Sequence, residues 1–290
     1  MLTVLAGPTA SGKSALALEL AEREGAEIVS ADSQAVYRHF DLGTAKPDAG
    51  ALARVRHHLV SVVDPWEHFS AARFQELADA AIRQAIARGR RVLVVGGTGL
   101  YIRVLLHGLS SGTPEPELRA RLQAEAQRIG PEAMHAQLAR LDSESARRIA
   151  IADTLRVVRA LEILEVTGKR ASSVQRAHRF ADTRYRYTLW FLDPPRDELM
   201  KAISARTRAM FARGLVEEVE RLVRLGYRDA PPMRSVGYRQ ALGVVEGRQS
   251  VAQAQADTER QTRAYAKRQR TWFRREPGAR FVAPPYTVVT

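Results

Sequence analysis

Residues 2–14 read LTVLAGPTASGKS, and this stretch decides the fold. The run Leu2–Ala6 is short and mostly apolar, which is typical of a buried strand in a parallel sheet. From Lys13 to Glu24 the apolar residues recur at helical spacing, so a helix follows a glycine-rich turn. A strand, a turn and a helix in this order predict an α/β fold with a parallel sheet.

The same alternation continues along the chain and is interrupted once. Near Leu109 the pattern changes: residues 110–114, SSGTP, read as a loop or hinge, and the sequence beyond them reads as all-helical up to the strand Tyr185–Leu192. We therefore predict a discontinuous α/β core over residues 1–112 and 186–290, with a helical insertion over residues 113–185. The other elements predicted for the core are a strand over Glu27–Ser30, a helix over Ser70–Arg88 with Ser70 as its cap, a strand over Val92–Val95, an apolar helix from after Gly99 through Leu106, and helices over Arg196–Arg213, Leu215–Leu225 and Val251–Arg275.

Composition excludes several classes of protein. The 290 residues include no cysteine, so disulfide scaffolds, thiolate-zinc proteins and cysteine-nucleophile enzymes are excluded. The apolar runs are far shorter than the roughly 18 residues of a membrane span, and the N-terminus has no secretory signal pattern. We expect a protein of the cytoplasm that does not enter a membrane, and a monomer.

The net charge of +13 is concentrated in two blocks. Residues 145–186 hold ten Lys/Arg against four Asp/Glu, and residues 251–275 hold seven against two. Arginine outnumbers lysine by 40 to five; a G+C-rich genome would explain that preference but not the clustering. A localised arginine excess favours a polyanion such as nucleic acid as partner. Solvated basic helix faces are the alternative.

Residues Gly7–Ser14, GPTASGKS, match the pattern GxxxxGK[ST] at every fixed position. This P-loop motif lies between a strand and a helix, where its backbone N–H groups can surround phosphate oxygens. Lys13 would place a charge on the terminal phosphates, and Ser14 would bind Mg²⁺. The motif predicts a bound di- or triphosphate, with ATP as one possibility, and does not by itself specify phosphoryl transfer. The residues predicted to form this site are Gly7, Pro8, Thr9, Ala10, Ser11, Gly12, Lys13 and Ser14.

Asp32 follows the second predicted strand, at the edge of the sheet where the P-loop also lies. It is a candidate general base, or alternatively a cap for a following helix. The strand Val92–Val95 ends in Gly-Gly-Thr without the carboxylate that P-loop hydrolases carry there. This absence argues against a motor or switch ATPase and favours an enzyme that catalyses group transfer.

Seven blocks of the chain resemble, in order, those of the tRNA dimethylallyltransferases, also called tRNA isopentenyltransferases. The resemblance covers the chain from Gly7 to Arg274, and it implies a P-loop core with a helical insertion that grips the anticodon stem-loop. The blocks are GPTASGKS, SADSQ, VGGTGLY, RVVRALE, GLVEEV, SVGYRQ and AKRQRTWFR.

The resemblance implies a reaction and roles for named residues. The dimethylallyl group of dimethylallyl diphosphate moves to N6 of the adenosine on the 3′ side of the anticodon, and diphosphate leaves. Asp32 is implied as the base, Thr9 as donor to the bridging oxygen and Arg206 as a second phosphate cation. Because N6 is not accessible in a stacked loop, the adenosine should be flipped out. The residues implied to contact tRNA are Asp32, Ser33, Gln34, Ala35, Thr98, Arg119, Arg156, Arg159, Arg234, Gly237, Tyr238 and Arg239.

Two positions depart from the family pattern: Leu155 stands where glutamine is common, and Ala264 replaces a longer polar residue. Two other functions stay open. A small-molecule kinase would explain the P-loop and Asp32 but not the basic blocks. An RNA-binding module without activity would explain the charge but leave Lys13, Ser14 and Asp32 without a purpose.

Overall fold

The computed structural model describes residues 1–109, 115–178 and 183–288. The chain divides into two compact units, a core of Met1–Leu106 with Arg184–Thr290 and an insertion of His107–Thr183. These borders lie six and two residues earlier than those predicted from the sequence. The loop or hinge predicted at residues 110–114 lies outside the described residues.

The core is built on one six-stranded sheet in the order β3-β2-β4-β1-β5-β6. Every pairing between the described strands is parallel, so their carboxyl ends share one edge of the sheet. The central strand β1 is buried along its whole length. The strands are β1 (Leu2–Ala6), β2 (Ala26–Ala31), β3 (His57–His58), β4 (Arg91–Gly96), β5 (Tyr187–Leu192) and β6 (Ala279–Val282).

Helices cover both faces of the sheet, because side chains of successive strand residues point to opposite faces. Val4 packs into the cluster that contains Phe74 of α3, whereas its neighbour Leu5 packs with Leu20 of α1. The helices are α1 (Lys13–Glu24), α2 (Ala49–Arg54), α3 (Ala71–Ala87), α4 (Gly99–His107), α5 (Pro116–Leu141), α6 (Ser143–Arg148), α7 (Thr154–Thr167), α8 (Ala171–His178), α9 (Arg196–Ala212), α10 (Leu215–Arg224), α11 (Tyr238–Val245) and α12 (Val251–Phe273), and a 3₁₀ turn spans Pro231–Arg234.

Local signals explain where the long elements begin and end. Strand β1 and helix α1 match their predicted bounds residue for residue. Ser70 caps α3 by accepting a hydrogen bond from the Arg73 backbone N–H at 3.2 Å, and Gly89 follows the helix at a φ of +71°. Within the described ranges, no helix is both long and apolar enough to cross a bilayer.

The insertion has a separate helical core of α5 to α8. The sequence predicts separate helices over Glu115–Ile129 and Pro131–Leu141. Gly130, whose φ of +84° and ψ of +164° are not helical, divides α5 at this point. Buried Asp142 joins α6 to α8, since its carboxylate accepts from Ser145 N at 3.1 Å and from Ser172 N at 2.9 Å. These bonds lower the pKa of Asp142 to about 2 against the opposing effect of burial.

Candidate active site

Three loops meet at the carboxyl edge of the sheet, one after each of β1, β2 and β4. They carry the P-loop motif, Asp32 and Thr98 respectively, as expected for an α/β sheet. Helices α9 and α12 supply Arg206 and Gln269, and together these segments line a cavity of about 490 Å³. Its size is that of a small-molecule site.

The P-loop turns sharply before α1, as its glycines require. Gly12 immediately precedes the helix with a φ of +84°, and a Cβ on Gly7 would lie 2.7 Å from Ser11 Oγ. Lys13 folds back so that its Nζ donates to the Pro8 carbonyl at 3.3 Å. The loop therefore places the Lys13 ammonium at the cavity, which is where the motif predicts it.

The cavity is strongly cationic. Burial and the charge of Arg206 together lower the pKa of Lys13 to about 8, although the charge of Asp32 acts to raise it. Burial also lowers the pKa of Arg206, again against the effect of Asp32. Among the described residues that line the cavity, Asp32 is the one carboxylate and six are cations: Lys13, Lys46, Arg206, Arg234, Arg239 and Arg268. Such an excess of cations is suited to a polyanionic ligand.

Asp32 is held by its own loop. Its Oδ1 accepts from the backbone N–H groups of Gln34 at 2.8 Å and Ala35 at 3.2 Å. The segment after Asp32 is a turn, so the alternative reading of this residue as a helix cap is wrong. In the described part of the chain, Oδ2 accepts no hydrogen bond and is free for a ligand in the cavity.

Hydrogen bonds tie the three loops together. Thr98 Oγ1 accepts from Ser33 N at 3.1 Å, and Thr98 N donates to the Ala31 carbonyl at 3.2 Å. The side-chain amide of Gln269 joins the P-loop to the loop after β4: Thr9 N donates to its Oε1 at 2.9 Å, and its Nε2 donates to the Gly97 carbonyl at 2.9 Å. The Thr9 N–H is therefore already paired and does not face the cavity as a phosphate donor.

A second cavity, of about 660 Å³, adjoins the first. The two share Lys13, Ser14, Lys46 and Arg206, and the second adds Ala10, Ser11, Gly12 and Arg213. A ligand with two anionic groups therefore has cations on both sides of the P-loop lysine.

The residues present fit the Mg²⁺ expected on Ser14 if a bound diphosphate and water supply most of its ligands. The described residues hold no cluster of three or more His, Asp or Glu side chains that would bind a metal alone. Ser14 lines both cavities, and its hydroxyl would hold the ion together with oxygens of a bound diphosphate and water. Mg²⁺ commonly binds enzymes in this way, with few protein ligands.

Buried Glu218 and Tyr238 hold residues 41–43, which lie in the segment between β2 and α2. Glu218 accepts from the N–H groups of Asp41 and Leu42 and from the Tyr238 hydroxyl, and that hydroxyl accepts from Gly43 N at 3.1 Å. The Tyr238 side chain is fully buried, so the predicted contact of this residue with tRNA would have to be made by its backbone. A Cβ on Gly43 would lie 2.3 Å from its ring.

The other residues expected to contact tRNA in the core lie mostly at the cavity. Asp32, Ser33, Gln34, Ala35, Arg234 and Arg239 line it, and Thr98 binds the Ser33 backbone beside it. Gly237 precedes α11 at a φ of +97°, where its N–H donates to Gln240 Oε1. Gly237 is thus a turn residue next to the lining pair Arg234 and Arg239.

In the insertion, the three arginines expected to contact tRNA have different surroundings. Arg119 and Arg159 both bind the fully buried carboxylate of Glu162, at 2.8 Å and 2.9 Å. Arg156 is 73% exposed and pairs with Asp153 at 3.3 Å. Arg156 is therefore the arginine of the three that is best placed for an external anion, whereas the other two hold the insertion together.

Sequence reasoning missed several residues of the site. Lys46, Tyr265, Arg268 and Gln269 all line the first cavity and were not assigned individually. Tyr265 interacts with the Thr98 hydroxyl, and burial raises the pKa of Tyr265 to about 12. A signal was present: along α12 the polar residues at one helical face all line the cavity, namely Thr258, Thr262, Tyr265 and Gln269.

The fold and the site together define a P-loop-type α/β transferase whose cavity combines clustered cations with a carboxylate, that of Asp32. The family model described as IPP transferase matches residues 35–276. Among curated proteins, the tRNA dimethylallyltransferase of Myxococcus xanthus is 60% identical over 287 residues, covering 99% of this chain and 93% of that protein. The chain belongs to the IPP transferase family.

Solved structures of similar proteins have the same fold as this chain. The tRNA isopentenylpyrophosphate transferase of Bacillus halodurans is 35% identical with a TM-score of 0.71, over 97% of this chain and 89% of that one. A eukaryotic dimethylallyltransferase acting on tRNA is 24% identical and has the same fold, with a TM-score of 0.83 over 97% of this chain and 73% of that one.

Proposed function

We propose that this chain transfers the dimethylallyl group of dimethylallyl diphosphate to N6 of the adenosine on the 3′ side of the tRNA anticodon. The observation that carries the proposal is the cavity itself, in which Lys13 and Arg206 lie near the Asp32 carboxylate. A diphosphate leaving group and a base for an incoming amine are the two requirements of this alkylation.

The donor half of the site would be the P-loop with Lys13 and Arg206. As the allylic carbon–oxygen bond breaks, the electron pair goes to the diphosphate, whose growing charge these cations stabilise. Thr9 lines the cavity and would donate its hydroxyl to the oxygen that bridges carbon and phosphorus. Mg²⁺ held at Ser14 would supply additional neutralisation of the leaving diphosphate.

The acceptor half would be formed around Asp32. N6 of adenine is a weak nucleophile because its lone pair is delocalised into the ring. As the bond from N6 to the allylic carbon forms, the N6 proton would pass to Oδ2 of Asp32, the oxygen that its own loop leaves free. Proton transfer to a positioned base contributes about 10² to 10⁴ in rate.

The adenosine would reach Asp32 only after leaving the anticodon stack. Arg234 and Arg239 line the cavity and would bind the backbone of the flipped nucleotide. The insertion would grip the stem-loop through exposed cations such as Arg156. The protein would act in the cytoplasm as a monomer.

The test is incubation with unmodified tRNA, Mg²⁺ and dimethylallyl diphosphate labelled in the allyl group. We expect label in RNA, recovered as N6-(dimethylallyl)adenosine from the position next to the anticodon. A matched tRNA with guanosine at that position should stay unlabelled. ATP turnover with a small acceptor and no labelled RNA would support a kinase, and RNA binding without either turnover would support a binding module.

A further inference from the structure

Gln269 joins the P-loop, which the proposed function assigns to the diphosphate, to the loop after β4, which carries Thr98. Its Oε1 accepts from the N–H of Thr9 in the P-loop, and its Nε2 donates to the carbonyl of Gly97, each at 2.9 Å. Gln269 is only 6% exposed; its bond to Gly97 is buried and its bond to Thr9 is partly buried. A buried side chain with both ends paired holds its two partners at a fixed separation.

The Gly97 side of this contact leaves no room for adjustment. A Cβ at position 97 would lie 2.1 Å from Gln269 Nε2 and 3.2 Å from the Gly7 carbonyl oxygen. Glycine at this position therefore lets the loop after β4 approach both the P-loop and the Gln269 amide.

The contact extends to the loop that carries the base. Thr98, next to Gly97, accepts from Ser33 N at 3.1 Å and donates its own N–H to the Ala31 carbonyl at 3.2 Å. Ala31 and Ser33 flank Asp32. An unbroken path of three hydrogen-bonded segments thus runs from Thr9 through Gln269 and Thr98 to Asp32.

We infer that Gln269 is a positioning residue that sets the spacing between the diphosphate-binding loop and the base-bearing loop. The inference rests on the proposed function, since it concerns how donor and acceptor are brought together. Reacting atoms must lie about 3 to 3.5 Å apart, and a displacement of about 1 Å can lower the rate by about 10²-fold. Gln269 would thus act on turnover without contacting either reacting atom.

The test uses Gln269→Met, which keeps the length of the side chain and removes both hydrogen bonds. Gly97→Ala displaces the same amide from the opposite side and serves if the first variant folds poorly. The matched control is Gln84→Met, an exposed position on α3 away from the cavity. For each variant we would measure kcat, the Kd for inorganic diphosphate, the Kd for unmodified tRNA and amide hydrogen exchange in peptides covering residues 7–14.

We expect kcat to fall by about 10- to 100-fold in Gln269→Met and Gly97→Ala, with both Kd values within threefold of the wild type. Exchange of the P-loop peptide should rise, because Thr9 N–H loses its partner, while Gln84→Met should match the wild type throughout. The inference is overturned if kcat stays within threefold, if the diphosphate Kd rises as much as kcat falls, or if exchange is unchanged. A wild-type chain that transfers no prenyl group would instead refute the proposed function, and exchange would still report on the Gln269 contact.

Discussion

Lys13 and Arg206 lie close together in the candidate active site, and their proximity has a measurable consequence. Burial, and then the charge of Arg206, lower the pKa of Lys13 to about 8 although Asp32 acts to raise it. A bound diphosphate would raise the pKa of Lys13 again by supplying the negative charge that this pair of cations lacks.

The first prediction is a pH dependence of diphosphate binding. Because the free protein loses the Lys13 proton as pH rises through about 8 and the complex retains it, affinity should fall above that pH. We expect binding to weaken by about tenfold between pH 7 and pH 9, relative to Lys13→Arg, whose guanidinium stays charged. Calorimetric titration gives the Kd for inorganic diphosphate of the wild type and of Lys13→Arg at each pH. Equal pH profiles for the two proteins would contradict the lowered pKa of Lys13.

The second prediction concerns Asp32→Asn. The amide oxygen can still accept from Gln34 and Ala35, so the loop is preserved while the charge is lost. We expect kcat to fall by about 10² to 10⁴-fold with tRNA affinity within threefold of the wild type. Single-turnover prenyl transfer and filter binding measure the two quantities, and largely intact turnover would remove Asp32 from the role of base.

The third prediction separates Tyr238 from RNA recognition. Tyr238→Phe removes the hydroxyl that Gly43 N–H and Glu218 share, and leaves those groups buried with fewer partners. The free energy of unfolding should fall by about 1 to 3 kcal/mol, measured by urea denaturation. The Kd for tRNA should stay within threefold of the wild type. Weaker tRNA binding with unchanged stability would instead show that the Tyr238 hydroxyl contributes to RNA binding.

The fourth prediction distinguishes two arginines of α7. Arg156→Ala should weaken tRNA binding and reduce the slope of log Kd against log salt by about one, with stability changed by less than about 0.5 kcal/mol. Arg159→Ala should instead lower stability by about 1 to 3 kcal/mol, because Glu162 is fully buried and loses one of its two arginines. An unchanged salt slope for Arg156→Ala would move the RNA contact elsewhere.

The sequence predicts well those elements whose own residues determine them. Strand β1, helix α1 and the Ser70 cap are local features, and each is present where the pattern places it. Helix α11, strand β6 and the short helix α2 were missed, and α6 and α8 were not delimited within the all-helical insertion, because an element of four to eight residues shows too few repeats for a period to be recognised.

The candidate site was predictable where a motif carries its own chemistry, as in the P-loop and Asp32. The side chains of Tyr238 and Gln269 could not be assigned in this way. The contacts of Gln269 join residues 260 positions apart, and Tyr238 is buried by a loop nearly 200 positions away. A glutamine or a tyrosine in a basic, polar stretch is compatible with RNA contact, and only the packed core shows which ones face inward.

The two ends of the interrupted core lie within one hydrogen bond of each other, since Arg184 N donates to the Leu106 carbonyl at 2.8 Å. Asp79 of α3 secures the returning segment by pairing with the Arg184 guanidinium at 2.6 Å. Removing residues 107–183 would thus require only a very short peptide to rejoin the chain. Because the insertion leaves and rejoins the core at adjacent residues, its length can change without a change in the strand order of the sheet.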